Sequence, residues 1–442
     1  MLRNYFAAYE GVAEVIDDGL LDVMPYRLVS YEALKTGAYD DKFFKTYNDA
    51  YTSLILDSGA YSAWTKKTPI WIKDYQRYCK KHVKQISYFV NLDIIPGVPG
   101  IAPTAEDRKY SAEQGYEHYW DMVKFLGELG VEQSKIIHVF HQFEDIKYLK
   151  QMVDVDKMDY IGLSPSNDRK LVDTKKKREF LKECFEIVAP DGIPKCKTHA
   201  FGVSSFDLLG SLLDPETGQL KPHFPLYSAD ARTWGRQAMG GYIFVPAINS
   251  SIPETSRPQS RTRKLENPRT FAEWWDFSKI EIVDVGTQSR RDTYWKSMTP
   301  DGEYKISDKR RDEIRAYIHD LGLHFGYSEI HKKSNRELPG ANELEVTDSR
   351  TIVRLNKLFG KLKKGEMYTE EFIRDGILPY VQYRMWINCI AINHWTQVQD
   401  PGGYYTPDHI PDPELSPEDE AAREIVQNKI KRRLNNKRGL LP

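Results

Sequence analysis

The chain has 442 residues, a formal net charge of -1 and a hydrophobic content of 40%, values typical of a folded protein with a large core. The balanced charge excludes a global basic field, so any nucleic-acid binding must come from local patches. The four cysteines are widely scattered, which excludes a CxxC zinc site and a secreted disulfide framework. No window approaches the length of a membrane span, and the N-terminus lacks a continuous apolar stretch. We therefore expect a cytoplasmic protein without a signal peptide or membrane contact.

Predicted strands alternate with predicted helices through most of the first 250 residues. The clearest strand is Leu54-Ile-Leu-Asp57, a short apolar run that ends in a carboxylate and a glycine turn. Strands are predicted over 54–57, 86–93, 135–142, 159–164, 197–202 and 225–230, with 27–30 leading into them, 241–245 as a seventh and 280–285 as an eighth. Helices are predicted over 69–82, 105–130, 144–153, 170–188 and 206–213.

This alternation predicts an α/β fold, in which residues 1–290 form a (β/α)8 TIM-like barrel. An open doubly wound sheet is the weaker interpretation, because no GxGxxG follows any strand. Beyond about residue 246 the chain changes character, first to a Pro/Ser/Arg-rich loop and then to helical patterns at 305–322, 350–375 and 415–434. We expect residues 291–442 to form a mostly helical region, for which nucleic-acid positioning is a reasonable role.

Polar residues stand at the predicted strand ends, which converge on one rim of a barrel. They are Asp57, Asp93, His141, Gln142, Ser164 and Asp230, and Gly202 is expected at the same rim. Two carboxylates flanking a sugar suit displacement at an anomeric carbon, one as nucleophile and one as acid–base. Simpler interpretations also exist for single residues. An Asp at such a turn often caps a helix, the histidines 138, 141 and 199 fit ordinary packing better than a metal site, and Tyr61 and Trp64 fit core positions as well as base stacking.

The order of these segments resembles the tRNA-guanine transglycosylase family over residues 50–245. Asp57-Ser-Gly-Ala-Tyr-Ser62 is similar to its DSGGFQ motif, Val90-Asn-Leu-Asp93 to its second aspartate strand, Phe140-His-Gln142 to its QGG segment, Ile161-Gly-Leu-Ser164 to GGLAVGE, Ala200-Phe-Gly-Val203 to YLMGVG, and Tyr227-Ser-Ala-Asp230 to its nucleophile segment. The chain departs from the family in lacking its CxCxxC zinc motif, and Phe143 and Glu144 replace two glycines. It is most similar to the phage branch of DNA 7-deazaguanine transglycosylases, which tolerates loss of the zinc.

The resemblance implies exchange of guanine in DNA for a 7-deazaguanine such as preQ0, within the bacterial host if the chain is phage-encoded. Asp230 would attack C1′, Asp57 would act as acid and base, and Asp93 and Gln142 would hold the base edge. The remaining base-pocket residues would be Ser58, Tyr61, Ser164 and Gly202. The expected partners are DNA and the incoming base, with no cofactor and no metal. Phosphate contacts are predicted for Arg232, Arg236, Arg257, Arg261, Arg263 and Lys264.

Three other interpretations stay open. The first is a tRNA transglycosylase of the queuosine or archaeosine type, and the missing zinc motif counts against it. The second is a barrel that only binds nucleic acid, and the three aspartates count against it. The third is a barrel hydrolase that acts on a small glycoside or nucleoside, and the basic loop of residues 257–264 counts mildly against it.

Overall fold

The computed structural model describes residues 2–7, 26–35, 44, 53–168, 170–203, 206–213, 220–248, 250, 275–284, 317 and 381–399. Its strands are β1 (Arg3–Ala7), β2 (Tyr26–Ser30), β3 (Ser53–Asp57), β4 (Tyr88–Val90), β5 (Ile136–His141), β6 (Tyr160–Ser164), β7 (Lys197–Ala200), β8 (Ser211–Leu213), β9 (Leu220–Pro222), β10 (Ser228–Ala231), β11 (Tyr242–Ile248) and β12 (Trp275–Asp284). Eight of them close into an all-parallel barrel in the order β1-β10-β7-β6-β5-β4-β3-β2. The predicted α/β barrel is therefore confirmed.

The strand that closes the barrel differs from the prediction. Residues 241–245 and 280–285 were expected to supply the seventh and eighth barrel strands, but this is wrong, because β11 and β12 pair antiparallel with each other. The barrel closes through β1, which pairs with β10 on one side and β2 on the other. The sequence of β1 does not read as an apolar run, because its inward residues Arg3 and Tyr5 belong to a polar, tyrosine-rich interior.

Side chains of β3 show how the barrel divides its core. Leu54 and Leu56 pack outward into the large cluster formed with the surrounding helices. Ile55, between them, joins the smaller inner cluster, as the period of two in a strand requires. Four tyrosines fill much of this inner cluster, where TIM barrels usually place branched aliphatic side chains. They are Tyr5, Tyr88, Tyr160 and Tyr227.

The helices are α1 (Tyr31–Leu34), α2 (Ala60–Lys66), α3 (Ile72–Lys81), α4 (Ala105–Gly127), α5 (Ile146–Lys150), α6 (Thr174–Val188), α7 (Phe206–Leu209), α8 (Thr233–Gly240) and α9 (Val381–Gln399). Helix α4 begins at a capping box in which Thr104 and Asp107 satisfy each other's backbone N–H groups. A short π-helix, Gln151–Val155, follows α5. The predicted helix over 206–213 is only half right, because residues 211–213 form β8 and pair with β9.

Helix α9 was not predicted and packs on α8, the β11–β12 pair and β1. Its Asn388 is fully buried and joins three backbone groups. The Asn388 Oδ1 accepts the Phe244 N–H at 2.7 Å, and Nδ2 donates to the carbonyls of Trp234 at 2.9 Å and Tyr242 at 3.3 Å. This side chain therefore attaches α9 to the barrel flank. The predicted helices at 305–322, 350–375 and 415–434 lie outside the described residues, apart from residue 317.

Candidate active site

A cavity of about 690 Å³ opens at the carboxyl ends of the barrel strands. The structure brings all seven predicted strand-end residues together there. The cavity is lined by Asp57, Asp93, His141, Gln142, Ser164, Gly202 and Asp230, and by Tyr61, Arg232 and Arg236 nearer its mouth. Three carboxylates and a histidine thus share one concave site, which is where ligands bind in barrels of this type.

Asp57 ends β3 and is held by a single turn. The Gly59 N–H donates to its Oδ2 at 3.0 Å. Gly59 has φ 83°, and a Cβ at this position would lie 2.4 Å from Cβ of Glu32, so the turn requires glycine. Helix α2 has Gly59 as its N-cap and no side-chain cap, so Asp57 does not serve as a helix cap.

The carboxyl group of Asp57 is poised for proton transfer. Burial and the charges of Asp93 and Asp230 raise its pKa to about 8, although the Gly59 N–H and the Ser30 hydroxyl act in the opposite direction. A carboxyl group with such a pKa is protonated at neutral pH and can still lose its proton. Asp57 therefore has the properties of a general acid that can become a general base.

Asp93 follows β4 and is held from both sides. The Ser58 hydroxyl donates to Oδ1 at 2.8 Å, and His141 Nε2 lies 2.9 Å from Oδ2. Ser58 is fully buried and is not among the cavity-lining residues, so the structure places it behind Asp93. Ser58 was predicted to contact the base, whereas its hydroxyl here donates to the Asp93 carboxylate and accepts the Ala60 N–H at 3.2 Å.

Glu144 lies behind His141 and was not predicted as a site residue. Its Oε2 accepts the His141 N–H at 3.1 Å, and its Oε1 accepts the Ser111 hydroxyl at 2.5 Å. Burial alone lowers the pKa of His141, but the contact with Asp93 and the charges of Asp93 and Glu144 outweigh it and raise the pKa. The available sequence signal for this role of Glu144 was its position three residues after His141.

Asp230 lies on β10 and is 6% exposed. The Gly202 N–H donates to its Oδ1 at 2.7 Å, and His199 Nε2 lies 3.4 Å from the same oxygen. Gly202 has φ 62°, and a Cβ there would lie 2.5 Å from Nδ2 of Asn167. Gly202 therefore contacts the predicted nucleophile directly, which the prediction of a base-binding role did not include.

Gln142 braces a loop at the edge of the cavity. Its Oε1 accepts the Ser166 N–H at 2.9 Å and its Nε2 donates to the Lys176 carbonyl at 3.4 Å, while its backbone N–H donates to the Ser164 carbonyl at 2.9 Å. Phe143 follows with φ 87°, a left-handed conformation that is rare for a bulky residue. The side chains of Gln142 and Phe143 thus both form part of the cavity wall.

The exposed residues that line the cavity include aromatic, aliphatic and basic side chains. Tyr61 and Ile101 are 42% and 63% exposed and line it, and Trp64 Nε1 donates to the Gly97 carbonyl at 2.7 Å. Arg232 and Arg236 are exposed lining residues just after β10. The other predicted phosphate contacts, Arg257, Arg261, Arg263 and Lys264, lie outside the described residues.

Within the described ranges, no cluster of His, Cys, Asp and Glu side chains is arranged to hold a metal ion. The four cysteines, Cys79, Cys184, Cys196 and Cys389, are buried free thiols. Among the helices that the structure describes, none has the length and apolar character needed to cross a membrane. No protein-family model matches the chain, and no curated protein matches it either.

Proposed function

We propose that this protein is a base-exchanging transglycosylase that replaces guanine in DNA with a 7-deazaguanine such as preQ0. The observation that carries the proposal is a pair of carboxyl groups in one cavity, a proton-holding Asp57 and a hydrogen-bonded Asp230. Displacement at an anomeric carbon with retention requires one carboxylate nucleophile and one acid–base. The cavity volume of about 690 Å³ lies in the range of small-molecule sites.

The first half-reaction uses both groups. A lone pair of the Asp230 carboxylate forms a bond to C1′ of the target nucleoside as the bond between C1′ and N9 breaks. The electron pair of the broken bond stays on the departing guanine, which takes the Asp57 proton. The products are a deoxyribosyl ester on Asp230, free guanine and an ionised Asp57.

The second half-reaction reverses these roles. The incoming 7-deazaguanine gives its N9 proton to Asp57, N9 attacks C1′, and Asp230 leaves as a carboxylate. Two inversions at C1′ give net retention. A pKa of about 8 for Asp57 suits both directions of proton transfer near neutral pH.

Asp93 is suited to binding the base rather than reacting. The Ser58 hydroxyl and His141 Nε2 hold its two oxygens in place, and a carboxylate accepts hydrogen bonds only. An anionic acceptor at the cavity wall matches the adjacent N–H groups on the edge of guanine and of its 7-deaza analogues. We assign this recognition to Asp93 with Gln142 as a wall residue.

The residues at the cavity mouth favour a nucleic-acid polymer, rather than a free base, as one of the two substrates. Arg232 and Arg236 supply positive charge beside an acidic floor, so phosphates are favoured at the rim and excluded from the interior. Tyr61 offers an exposed ring at the same mouth. A duplex nucleotide would reach the floor only by leaving the base stack.

The test is transfer of labelled preQ0 into guanine-containing duplex DNA and, separately, into tRNA. We expect label in DNA with the wild-type protein and none with Asp230→Ala. Asp74→Asn, on the exposed face of α3, is the matched carboxylate control and should exchange normally. Label only in tRNA would move the proposal to the RNA enzymes. Release of guanine without incorporation would indicate a hydrolase, and exchange by Asp230→Ala would exclude Asp230 as the nucleophile.

A further inference from the structure

A line of hydrogen-bonded side chains runs from Asp230 down the inside of the barrel. His199 Nε2 lies 3.4 Å from Asp230 Oδ1, and His199 Nδ1 lies 2.6 Å from Ser228 Oγ. Ser228 Oγ lies 2.5 Å from the Tyr160 hydroxyl. His199, Ser228 and Tyr160 are all fully buried. Three strands, β6, β7 and β10, thus contribute one polar group each behind the proposed nucleophile.

The chemistry of these groups gives the chain one direction. An ionised carboxylate only accepts hydrogen bonds, so Nε2 of His199 must carry the hydrogen that faces Asp230. Nδ1 of a neutral imidazole then accepts from the Ser228 hydroxyl, whose oxygen accepts in turn from the Tyr160 hydroxyl. Burial raises the pKa of Tyr160 well above its ordinary value, which keeps that hydroxyl protonated.

The interior around the chain holds two cationic side chains and two aromatic rings. Arg3 and Lys197 lie inside the barrel, 4.3 Å and 4.7 Å from the ring centroid of Tyr227. The rings of Tyr5 and Phe201 flank His199 at centroid distances of 5.9 Å and 4.4 Å. The two rings enclose His199, which is fully buried, and thus hold the orientation of its imidazole.

We infer that His199 is a positioning residue that fixes Asp230 for attack, and that Oδ2 of Asp230 is the attacking atom. The inference rests on the proposed function. The His199 Nε2–H and the Gly202 N–H both point to Oδ1, which leaves Oδ2 to form the bond to C1′. Once the ester has formed, Oδ1 is its carbonyl oxygen. The same two donors then stabilise the negative charge that returns to the carboxylate when N9 of the incoming base displaces it.

The first test reads the hydrogen positions without using activity. Long-range nitrogen–proton correlation spectra of protein labelled with ¹⁵N in histidine should show His199 neutral with the hydrogen on Nε2, the signal being identified by its loss in His199→Phe. Tyr160→Phe, which removes the last donor, should shift this signal. A protonated ring or an Nδ1–H form in the wild-type protein would overturn the inference, because neither fits the chain.

The second test compares two buried tyrosines in single-turnover formation of the glycosyl-enzyme. Tyr160→Phe should slow this step about 3- to 10-fold, and His199→Phe about 10- to 100-fold, with substrate affinity nearly unchanged. Tyr5→Phe is the matched control, because its hydroxyl bonds Ser53 at 2.8 Å outside the chain, and it should react at the wild-type rate. His199→Gln keeps a donor near Nε2 and should recover part of the loss.

The outcomes separate the two proposals. Equal rates for Tyr160→Phe and Tyr5→Phe, or a loss confined to KM, would overturn the positioning role while leaving the transglycosylase intact. A wild-type protein that exchanges no base on DNA or tRNA would remove the proposed function. If the Nε2–H signal were nevertheless observed in that case, the hydrogen-bonded chain would be a structural feature with no role in positioning a nucleophile.

Discussion

Asp57 and Asp93 follow neighbouring strands and open onto the same cavity, yet their surroundings differ. Asp57 receives the Gly59 N–H and the Ser30 hydroxyl, but burial and two other carboxylates outweigh both and raise its pKa to about 8. Asp93 receives a hydroxyl on one oxygen and an imidazole on the other. The neighbouring groups therefore suit Asp57 to proton transfer and Asp93 to base recognition, although both residues are aspartates.

Of the substitutions in these two regions, the one that removes the acidic proton of Asp57 should have the largest effect. Asp57→Asn keeps an acceptor for the Gly59 N–H but cannot protonate the departing base, so we expect exchange to fall by about 10²- to 10⁴-fold. In the wild-type protein, the rate of glycosyl-enzyme formation should decline as the pH rises through about 8, because the acid form is lost. A pH profile that stays flat to pH 9 would contradict this role. Asp74→Asn should retain the wild-type profile.

The same substitution should stabilise the fold. Folded Asp57 holds its proton up to a pH of about 8, whereas the unfolded chain releases it near pH 4. Between these values the folded state binds more protons, so wild-type stability falls as the pH rises. Asp57→Asn removes this slope and should raise the free energy of unfolding at pH 8 by about 1 to 3 kcal/mol, with little difference at pH 4. Denaturant titrations at both pH values measure it, and a destabilised variant at pH 8 would show that burial does not oppose the charge.

The positions of the two aspartates were predictable from the sequence, but their roles were not. Asp57 and Asp93 were predicted as site residues because each ends a short apolar strand, a pattern visible in local sequence. Their different roles depend on partners that only the fold supplies, since His141 reaches Asp93 from the next barrel strand and Glu144 and Ser111 lie behind it. Strand β1 escaped prediction for a related reason, because its inward polar residues are satisfied by distant strands.

A smaller effect should follow from weakening the recognition region. His141→Asn shortens the side chain and removes the contact with Oδ2 of Asp93, so the carboxylate should lose its fixed orientation. We expect about tenfold weaker binding of the incoming base, with a much smaller change in the maximal rate. Isothermal titration with preQ0 and steady-state kinetics separate the two quantities. A loss in maximal rate without weaker binding of the base would mean that His141 acts in proton transfer. The surroundings of Asp57 and Asp93 would then not have separate roles.

The smallest effect should come from substitution of Ser58. This residue follows Asp57 in the sequence, but its hydroxyl donates to Asp93, so its substitution tests whether the two aspartates act independently. Ser58→Ala removes the hydroxyl donor to Oδ1 and leaves His141 in place. We expect about 2- to 5-fold weaker binding of preQ0. Ser134→Ala, at an exposed hydroxyl, serves as the control. The decline in rate near pH 8 should not move, because it reports on Asp57. A shifted decline with unchanged base binding would mean that Ser58 serves Asp57, and that the two aspartates are not independently tuned.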